Sequence, residues 1–308
     1  MKKVFITGAT GFIGQKLILS LLERQIEIYA LALPNEADRL SENSMLHIIL
    51  GNLDQSDEIE KQIEGIVFDV MFHLAWTGVS STYKNEAGLQ IKNIPFALKV
   101  MEIAKLHGCH HVVCTGSVSE YAYVETAVNG KQLPCPSDMY SAAKSAVHIF
   151  CDLFARQHGI NFNWILIPSI YGPGRNDNNL ITYTIKMLLA GKKPSFTRLE
   201  QKWDYIYIDD LILTLILVAE YGKENKVYVT GSGVARPMYE YVQIIKNEIN
   251  SKAELGIGEI PYKTDKIDHA VTDITELKED TGYEPLISFE EGICKTIDYF
   301  KEMLKEEV

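Results

Sequence analysis

The run Thr7-Gly8-Ala9-Thr10-Gly11-Phe12-Ile13-Gly14 constrains this chain more than any other stretch. It comes after an apolar, strand-like run at 4–7 and opens a segment, 12–23, that sets Ile13, Leu17, Leu21 and Leu22 on one helical face. Glycines at this spacing between a strand and a helix have separate uses. Gly8 permits a tight turn, Gly11 lets backbone approach a pyrophosphate, and Gly14 allows the helix to pack close to the strand. The helix N-terminus then offers free N–H groups and a positive dipole end to phosphate. The expectation is a dinucleotide site built on Gly8, Thr10, Gly11, Phe12, Ile13 and Gly14.

The rest of the first half of the chain supplies the matching context. Strand-like runs at 27–31, 47–50, 70–74, 111–115 and 162–167 alternate with helical periodicity, most clearly at 91–107 and 140–158. Such alternation predicts an α/β fold with a Rossmann-like, doubly wound parallel sheet and ligands at the strand C-terminal ends. After Tyr171-Gly-Pro-Gly174 the pattern loosens. Helices are expected at 180–190, 209–220 and 289–304, and strands at 205–208 and 227–230. The expected organisation is a dinucleotide-binding domain over 1–170, with returning segments at about 204–232. A smaller C-terminal substrate-binding lobe would be drawn mainly from 171–308.

Bulk properties narrow the partners. The 308 residues are 46% hydrophobic, enough for a large core, and 23% charged, as in ordinary globular chains. A formal charge of −11 argues against binding nucleic acid, although a local site can still capture one anionic small molecule. The longest apolar helix candidate, 211–219, is half of what a bilayer needs, so no membrane association is expected. Five cysteines, odd in number and without CxxC spacing, read as reduced thiols of a cytoplasmic protein. Cys109, His110 and His111 straddle a helix exit and a strand entry, where side chains diverge, so no metal site is expected.

Tyr140-Ser-Ala-Ala-Lys144 places a phenol and an ammonium one helical turn apart. A free phenol titrates near about 10, and an adjacent cation favours its ionised form, as a tyrosine acid/base requires. Ser117 lies just past the strand ending at Thr115, where its hydroxyl can reach a substrate carbonyl. The second strand runs out through Tyr29-Ala-Leu-Ala-Leu-Pro34 with no carboxylate at its tip, and Arg39 lies shortly beyond. An acid there usually bonds the adenosine ribose of NAD, and an arginine accommodates a 2′-phosphate. The expectation is therefore NADP(H) over NAD(H), with Arg39 among the cofactor contacts.

Together these residues resemble the extended short-chain dehydrogenase/reductase family, in its nucleotide-sugar epimerase/dehydratase/4-ketoreductase branch. The likeness runs from TGATGFIG at 7–14 through Gly51-Asn52-Leu53, Phe72-His73-Leu74-Ala75, and Ser117 four residues before Tyr121. It continues through YxxxK at 140–144, Tyr171-Gly-Pro-Gly, Asn179-Leu180-Ile181, Asp204-Tyr-Ile-Tyr-Ile-Asp-Asp210, Asp273-Ile-Thr and Thr281-Gly-Tyr-Glu-Pro285.

The resemblance implies a set of roles. Asn52 would contact the adenine and Ala75 would line the nicotinamide ribose, with Leu53, Leu74 and Tyr140 also among the cofactor contacts. Lys144 would also bond that ribose, with Pro168 and Ile170 bordering the nicotinamide. Asn179, Leu180, Trp203 and Arg236 would meet a nucleoside-diphosphate sugar, and the protein would form a homodimer through long helices. Family dehydratases carry a carboxylate one or two positions after the active-site Ser or Thr. Here those positions are Val118 and Ser119, with Glu120 out of register, which disfavours elimination. Trp203 stands where many family epimerases and dehydratases carry Arg. The favoured expectation is NADPH-dependent reduction of a 4-keto-6-deoxy sugar nucleotide by Ser117, Tyr140 and Lys144. An NAD-dependent 4-epimerase is the alternative, and a non-catalytic dinucleotide-sensing regulator is the alternative from another class.

Overall fold

The computed structural model describes residues 1–80, 82–120, 138–262 and 272–306; Tyr121 and Cys135 lie outside them. In chain order the elements begin β1 (Lys3–Thr7), α1 (Phe12–Glu23), β2 (Glu27–Ala32), β3 (Leu46–Leu50), α2 (Ser56–Gln62) and β4 (Val70–His73). Next come α3 (Ala87–Ile91), α4 (Asn93–Leu106), β5 (His111–Thr115), α5 (Met139–His158), β6 (Asn161–Leu166) and β7 (Ser169–Tyr171). After these lie α6 (Leu180–Leu189), β8 (Ser195–Phe196), β9 (Lys202–Trp203), β10 (Tyr205–Tyr207), α7 (Ile208–Tyr221) and β11 (Val227–Val229). The last are β12 (Arg236–Pro237), α8 (Met238–Asn250), β13 (Gly256–Ile257), α9 (Thr275–Thr281) and α10 (Phe289–Glu306). No helix among the described residues is long and apolar enough to cross a membrane.

Two compact units divide the chain. The first takes Met1–Ile167, Ile212–Val229 and Thr275–Tyr283. Among the described residues its seven strands lie in the order β11-β6-β5-β4-β1-β2-β3, every pairing parallel. Strand order reverses between β1 and β4, and the C-terminal ends of strands at such a reversal form a ligand crevice. Val4, Phe5 and Ile6 in β1 are fully buried, as expected of a central strand covered on both faces.

Local chemistry explains the helix limits nearest that crevice. Asp138 caps α5 by accepting the Ser141 N–H at 2.7 Å, and Gly159 closes the helix in a left-handed conformation at φ 66°. The single helix expected at 91–107 is instead two, α3 and α4. Pro95 has no N–H to give the Ile91 carbonyl, so the break falls just ahead of it. Two buried amides occupy the junction. Asn93 accepts the Thr77 N–H at 2.8 Å and donates to the Thr77 carbonyl at 3.1 Å. Gln90 donates to the Gly78 carbonyl at 2.7 Å and accepts from the Trp76 indole at 3.0 Å. The loop after β4 is thereby pinned.

The second unit takes Pro168–Leu211, Thr230–Ile274 and Glu284–Val308. Among the described residues it contains three two-stranded pairings, β10 with β7, β12 with β9 and β13 with β8. Phe289 packs 4.6 Å from Tyr241 and 4.9 Å from Tyr171, ring centre to ring centre. A small apolar group of Phe196, Leu199 and Val242 is covered by Leu180, Tyr183, Met238 and Leu255.

Candidate functional site

At the C-terminal end of β1 the glycine loop is a cradle with no room to spare. Gly8 has φ +72°, and a Cβ there would lie 2.6 Å from the Ala75 nitrogen. A Cβ on Gly14 would stand 2.2 Å from the Gly8 carbonyl oxygen. Gly11 starts α1 with no side chain capping the helix and no acid in its first turn, which leaves the amides of that end to an anion. These residues fit a dinucleotide pyrophosphate. Thr7 ties the neighbouring strand ends together: its hydroxyl meets His73 Nδ1 at 2.7 Å and accepts the Ala75 N–H at 3.4 Å. Leu74 donates its N–H to the Thr7 carbonyl at 3.2 Å. Asn52 accepts the Asp54 N–H at 3.4 Å beside the buried Leu53, at the exit of β3.

The region beyond β2 differs from the sequence expectation. The strand itself ends without an acid, but Glu36, four residues further, swings its carboxylate onto the loop, where Thr10 Oγ1 donates to it at 2.8 Å. The other Glu36 oxygen pairs with Arg39 at 3.1 Å. The arginine expected to await a 2′-phosphate is therefore held by a carboxylate that also touches the glycine loop. Spacing along β2 does not reveal Glu36, because the acid lies beyond the strand tip and returns to the loop only through the fold.

The three candidate catalytic residues gather around the exits of β4 and β5. Lys144 is buried, and its ammonium donates to the Thr115 carbonyl at 2.6 Å, two residues before Ser117. The same ammonium lies 3.7 Å from the centre of the Trp76 ring and 6.0 Å from that of Tyr140. Trp76 meets Tyr140 edge-to-face at 5.6 Å, and Lys84 places a second cation 4.9 Å over the Tyr140 ring. Ser117 Oγ and Ser119 Oγ share a hydrogen bond at 2.5 Å. Trp76 and Lys84 are additions to the sequence-derived set; the polar Gln90 and Asn93, on either side of the α3–α4 break, are the available signal that the Trp76 loop is anchored.

Burial dominates the electrostatics here. It drives His73 down to about 3, with the nearby Lys144 charge acting in the same direction, so His73 stays neutral. Burial also lowers Lys144, opposed by the negative charge of Glu120, and raises Glu120, opposed by the positive charge of Lys144. Glu120, out of register for a dehydratase acid, is thus a buried carboxylate beside Ser117. It accepts the Ser117 N–H at 2.7 Å and the Trp164 indole N–H at 3.2 Å. Among the described residues no cluster of three His, Cys, Asp or Glu side chains could hold a metal.

The remaining candidates belong to the second unit. Pro168 and Ile170 lie at β7, and Arg175 donates to the Ile170 carbonyl. Asn179 caps α6 through a capping box with Thr182, its carbonyl oxygen accepting from Ile181 and Thr182. That side-chain oxygen is spent on the helix end, with Leu180 the first helical residue. Trp203 donates its indole N–H to Ser169 Oγ at 2.8 Å. Arg236 pairs with Glu290 at 2.6 Å.

Comparison with known proteins adds the family. The model of the NAD dependent epimerase/dehydratase family matches residues 4–231. Over 312 residues the chain is 24% identical to a dTDP-4-dehydro-6-deoxyglucose reductase of Escherichia coli, with 96% of each chain covered. It is also 24% identical to a dTDP-glucose 4,6-dehydratase of Salmonella typhimurium, covering 97% of this chain and 92% of that one. The solved UDP-glucose 4-epimerase of Thermotoga maritima superposes with a TM-score of 0.85 at 24% identity, over 98% of this chain and 99% of the other. With its glycine cradle, its parallel sheet and a match spanning most of its length, the chain belongs to the NAD dependent epimerase/dehydratase family, within the nucleotide-sugar branch of the extended short-chain dehydrogenases/reductases.

Proposed function

We propose that this enzyme reduces the C4 ketone of a 4-keto-6-deoxy nucleoside-diphosphate sugar. The observation that carries the reading is the grouping of Ser117, Tyr140 and Lys144 around the β5 exit, with the Ser119 hydroxyl where a dehydratase needs a carboxylate. Bound NAD(P)H would supply the hydride that reaches C4. Tyr140 gives its phenolic proton to the C4 oxygen, so the ketone becomes an alcohol. Ser117 orients that oxygen by hydrogen bonding, and Lys144 favours the phenolate left behind. Asn179, Leu180, Trp203 and Arg236 are assigned to the nucleotide-sugar substrate, and Pro168 and Ile170 to the nicotinamide.

The test tracks reduced-cofactor absorbance against a panel of 4-keto-6-deoxy sugar nucleotides. One equivalent consumed per equivalent of alcohol formed supports reduction. Interconversion of C4 epimers with no net cofactor consumption replaces this reading with the 4-epimerase. Cofactor binding with neither reaction favours a regulatory sensor.

Glu36 supports the epimerase as a second reading, because it favours NAD(H), the cofactor of that alternative. A carboxylate on Thr10 accepts a ribose hydroxyl but repels a 2′-phosphate, and it neutralises Arg39. We therefore infer a preference for NAD(H), against the expectation drawn from Arg39. In Glu36→Gln, affinity for NADPH relative to NADH should rise by about tenfold or more, since a like charge a few ångströms away is removed and Arg39 is released. Titration of both cofactors by fluorescence checks this; an unchanged ratio counts against the assignment.

The helices α4 and α5 pack on each other, and α5 leaves Ile149, Phe150 and Leu153 exposed. We assign this apolar strip to a homodimer contact. Phe150→Glu should turn a dimer into a monomer in sedimentation velocity, and a wild-type chain that sediments as a monomer would refute the assignment. The described cysteines, Cys109, Cys114, Cys151 and Cys294, are free thiols, which suits a reducing cytoplasm.

A further inference from the structure

The carboxylate of Glu120 takes no part in the proposed proton and hydride transfers, yet its surroundings tie it to two residues that do. We propose that Glu120 is a positioning residue of this reaction, holding the Ser117 turn in place and keeping the proton on Lys144. The inference rests on the roles proposed for Ser117, Tyr140 and Lys144.

Glu120 closes a single helical turn, Val118–Glu120, directly after β5, and is 3% exposed. One of its oxygens accepts the Ser117 N–H and the other accepts the Trp164 indole N–H. Both oxygens thus face donors. Donors on both oxygens favour the carboxylate, against the burial that raises its pKa. The indole that completes this pair of donors is locked in place. A Cβ on Gly116 would lie 2.2 Å from Trp164 Nε1, so only glycine allows the ring so close beneath the turn. His148 stacks on that indole as well, 4.8 Å away and 9° from parallel.

The Lys144 ammonium approaches the same indole, 5.7 Å from its ring centre, and sits closer still to Trp76. An ammonium enclosed by aromatic rings has lost most of its water and tends to shed its proton. The groups that face it come from every neighbouring element. His73 on β4 is neutral; Cys114 on β5, its thiol pushed up by burial, also acts on Lys144, whereas Cys151 on α5 acts on Cys114; Tyr140 precedes Lys144 by one turn. Lys84 lies over the Tyr140 ring, and Asp152 acts on His148 rather than on Lys144. Glu120 is the carboxylate whose charge opposes the burial of Lys144. Removing that charge lowers the pH at which Lys144 becomes neutral, and with it the pH up to which Tyr140 has a cationic neighbour.

The experiment compares the parent enzyme with Glu120→Gln and Glu120→Asp in kcat/KM measured from pH 6 to 10. Tryptophan emission is titrated over the same range without substrate, and Lys144→Met is added to that arm. In Glu120→Gln the alkaline limb should move down by at least about one pH unit, a tenfold loss at the alkaline end. Glu120→Asp, which keeps the charge, should restore the limb while raising KM through the slackened Ser117 turn. The emission of Trp76 and Trp164 should show an alkaline step in the parent, displaced downward in Glu120→Gln and lost in Lys144→Met.

Superimposable pH profiles for parent and Gln overturn the proposal, as does an equal loss in Gln and Asp at every pH, which marks a packing role only. If Glu120→Gln fails to fold, a parent emission step that survives in Lys144→Met overturns it as well. A parent enzyme inert toward the whole substrate panel defeats the proposed function instead, and the emission titrations still decide the Glu120–Lys144 link.

Discussion

Tyr140→Phe is expected to bind cofactor as the parent does and to lose turnover by about 10²–10⁴-fold, the usual contribution of a positioned general acid. The phenyl ring keeps the edge-to-face contact with Trp76 and the Lys84 cation above it, so packing around the ring is retained. Only the ionisable oxygen goes. Lys144 still donates to the Thr115 carbonyl, and the glycine cradle lies at a different strand, so cofactor affinity should change by less than about twofold. The loss should fall on kcat more than on KM, because the proton transfer is realised in the transition state. A variant with near-normal kcat would remove Tyr140 from the chemistry.

Gly14→Ala should be nearly as damaging by a different route. The added methyl would stand 2.2 Å from the Gly8 carbonyl and 2.7 Å from Ala9 Cα, and these are backbone atoms with no rotamer to yield. Helix α1 would have to lift away from β1. Overpacking of this kind costs about 1–3 kcal/mol, and the cradle would lose its fit to the pyrophosphate at the same time. The expected result is a Tm lower by several degrees together with cofactor affinity reduced by about tenfold or more. Gly88→Ala is the internal control: this glycine lies in α3 with ordinary φ, and an added Cβ there meets nothing within 4 Å. That change should be neutral or slightly stabilising, as Ala favours helix over Gly. Equal effects from the two substitutions would show that α1 does not depend on the close approach.

The range of the forces involved decides how much of the fold is legible in the sequence. Segment 12–23 coincides with α1 and segment 111–115 with β5, because local periodicity and flanking glycines decide both. The parallel, doubly wound sheet is implied by the recurring alternation of strand and helix, although no α-helix separates β2 from β3. The helix α2 is silent: its sequence Ser-Asp-Glu-Ile-Glu-Lys-Gln offers one buried apolar residue, Ile59, and so shows no apolar stripe. The break between α3 and α4 is signalled by Pro95 but lies inside a strong helical pattern. In the candidate site, contacts between residues near in sequence are accessible to spacing arguments, as with Tyr140 and Lys144. Contacts made across the sheet are not. Thr10 meets Glu36 across 26 residues, and Glu120 meets Trp164 across 44, so both depend on strand order. A carboxylate reads the same in a sequence whether water or an indole surrounds it.

The Ser117–Ser119 hydroxyl pair beside a buried Glu120 also bears on how readily such a scaffold changes trade. An Asp installed at 118 or 119, the first step toward eliminating water, would put a second anion next to one already shut away from solvent. Val118 and Ser119 are half-buried, so the new charge would push the buried Glu120 further toward its protonated form. An acid at either position would therefore loosen the hold of Glu120 on the Ser117 turn unless Glu120 changed with it.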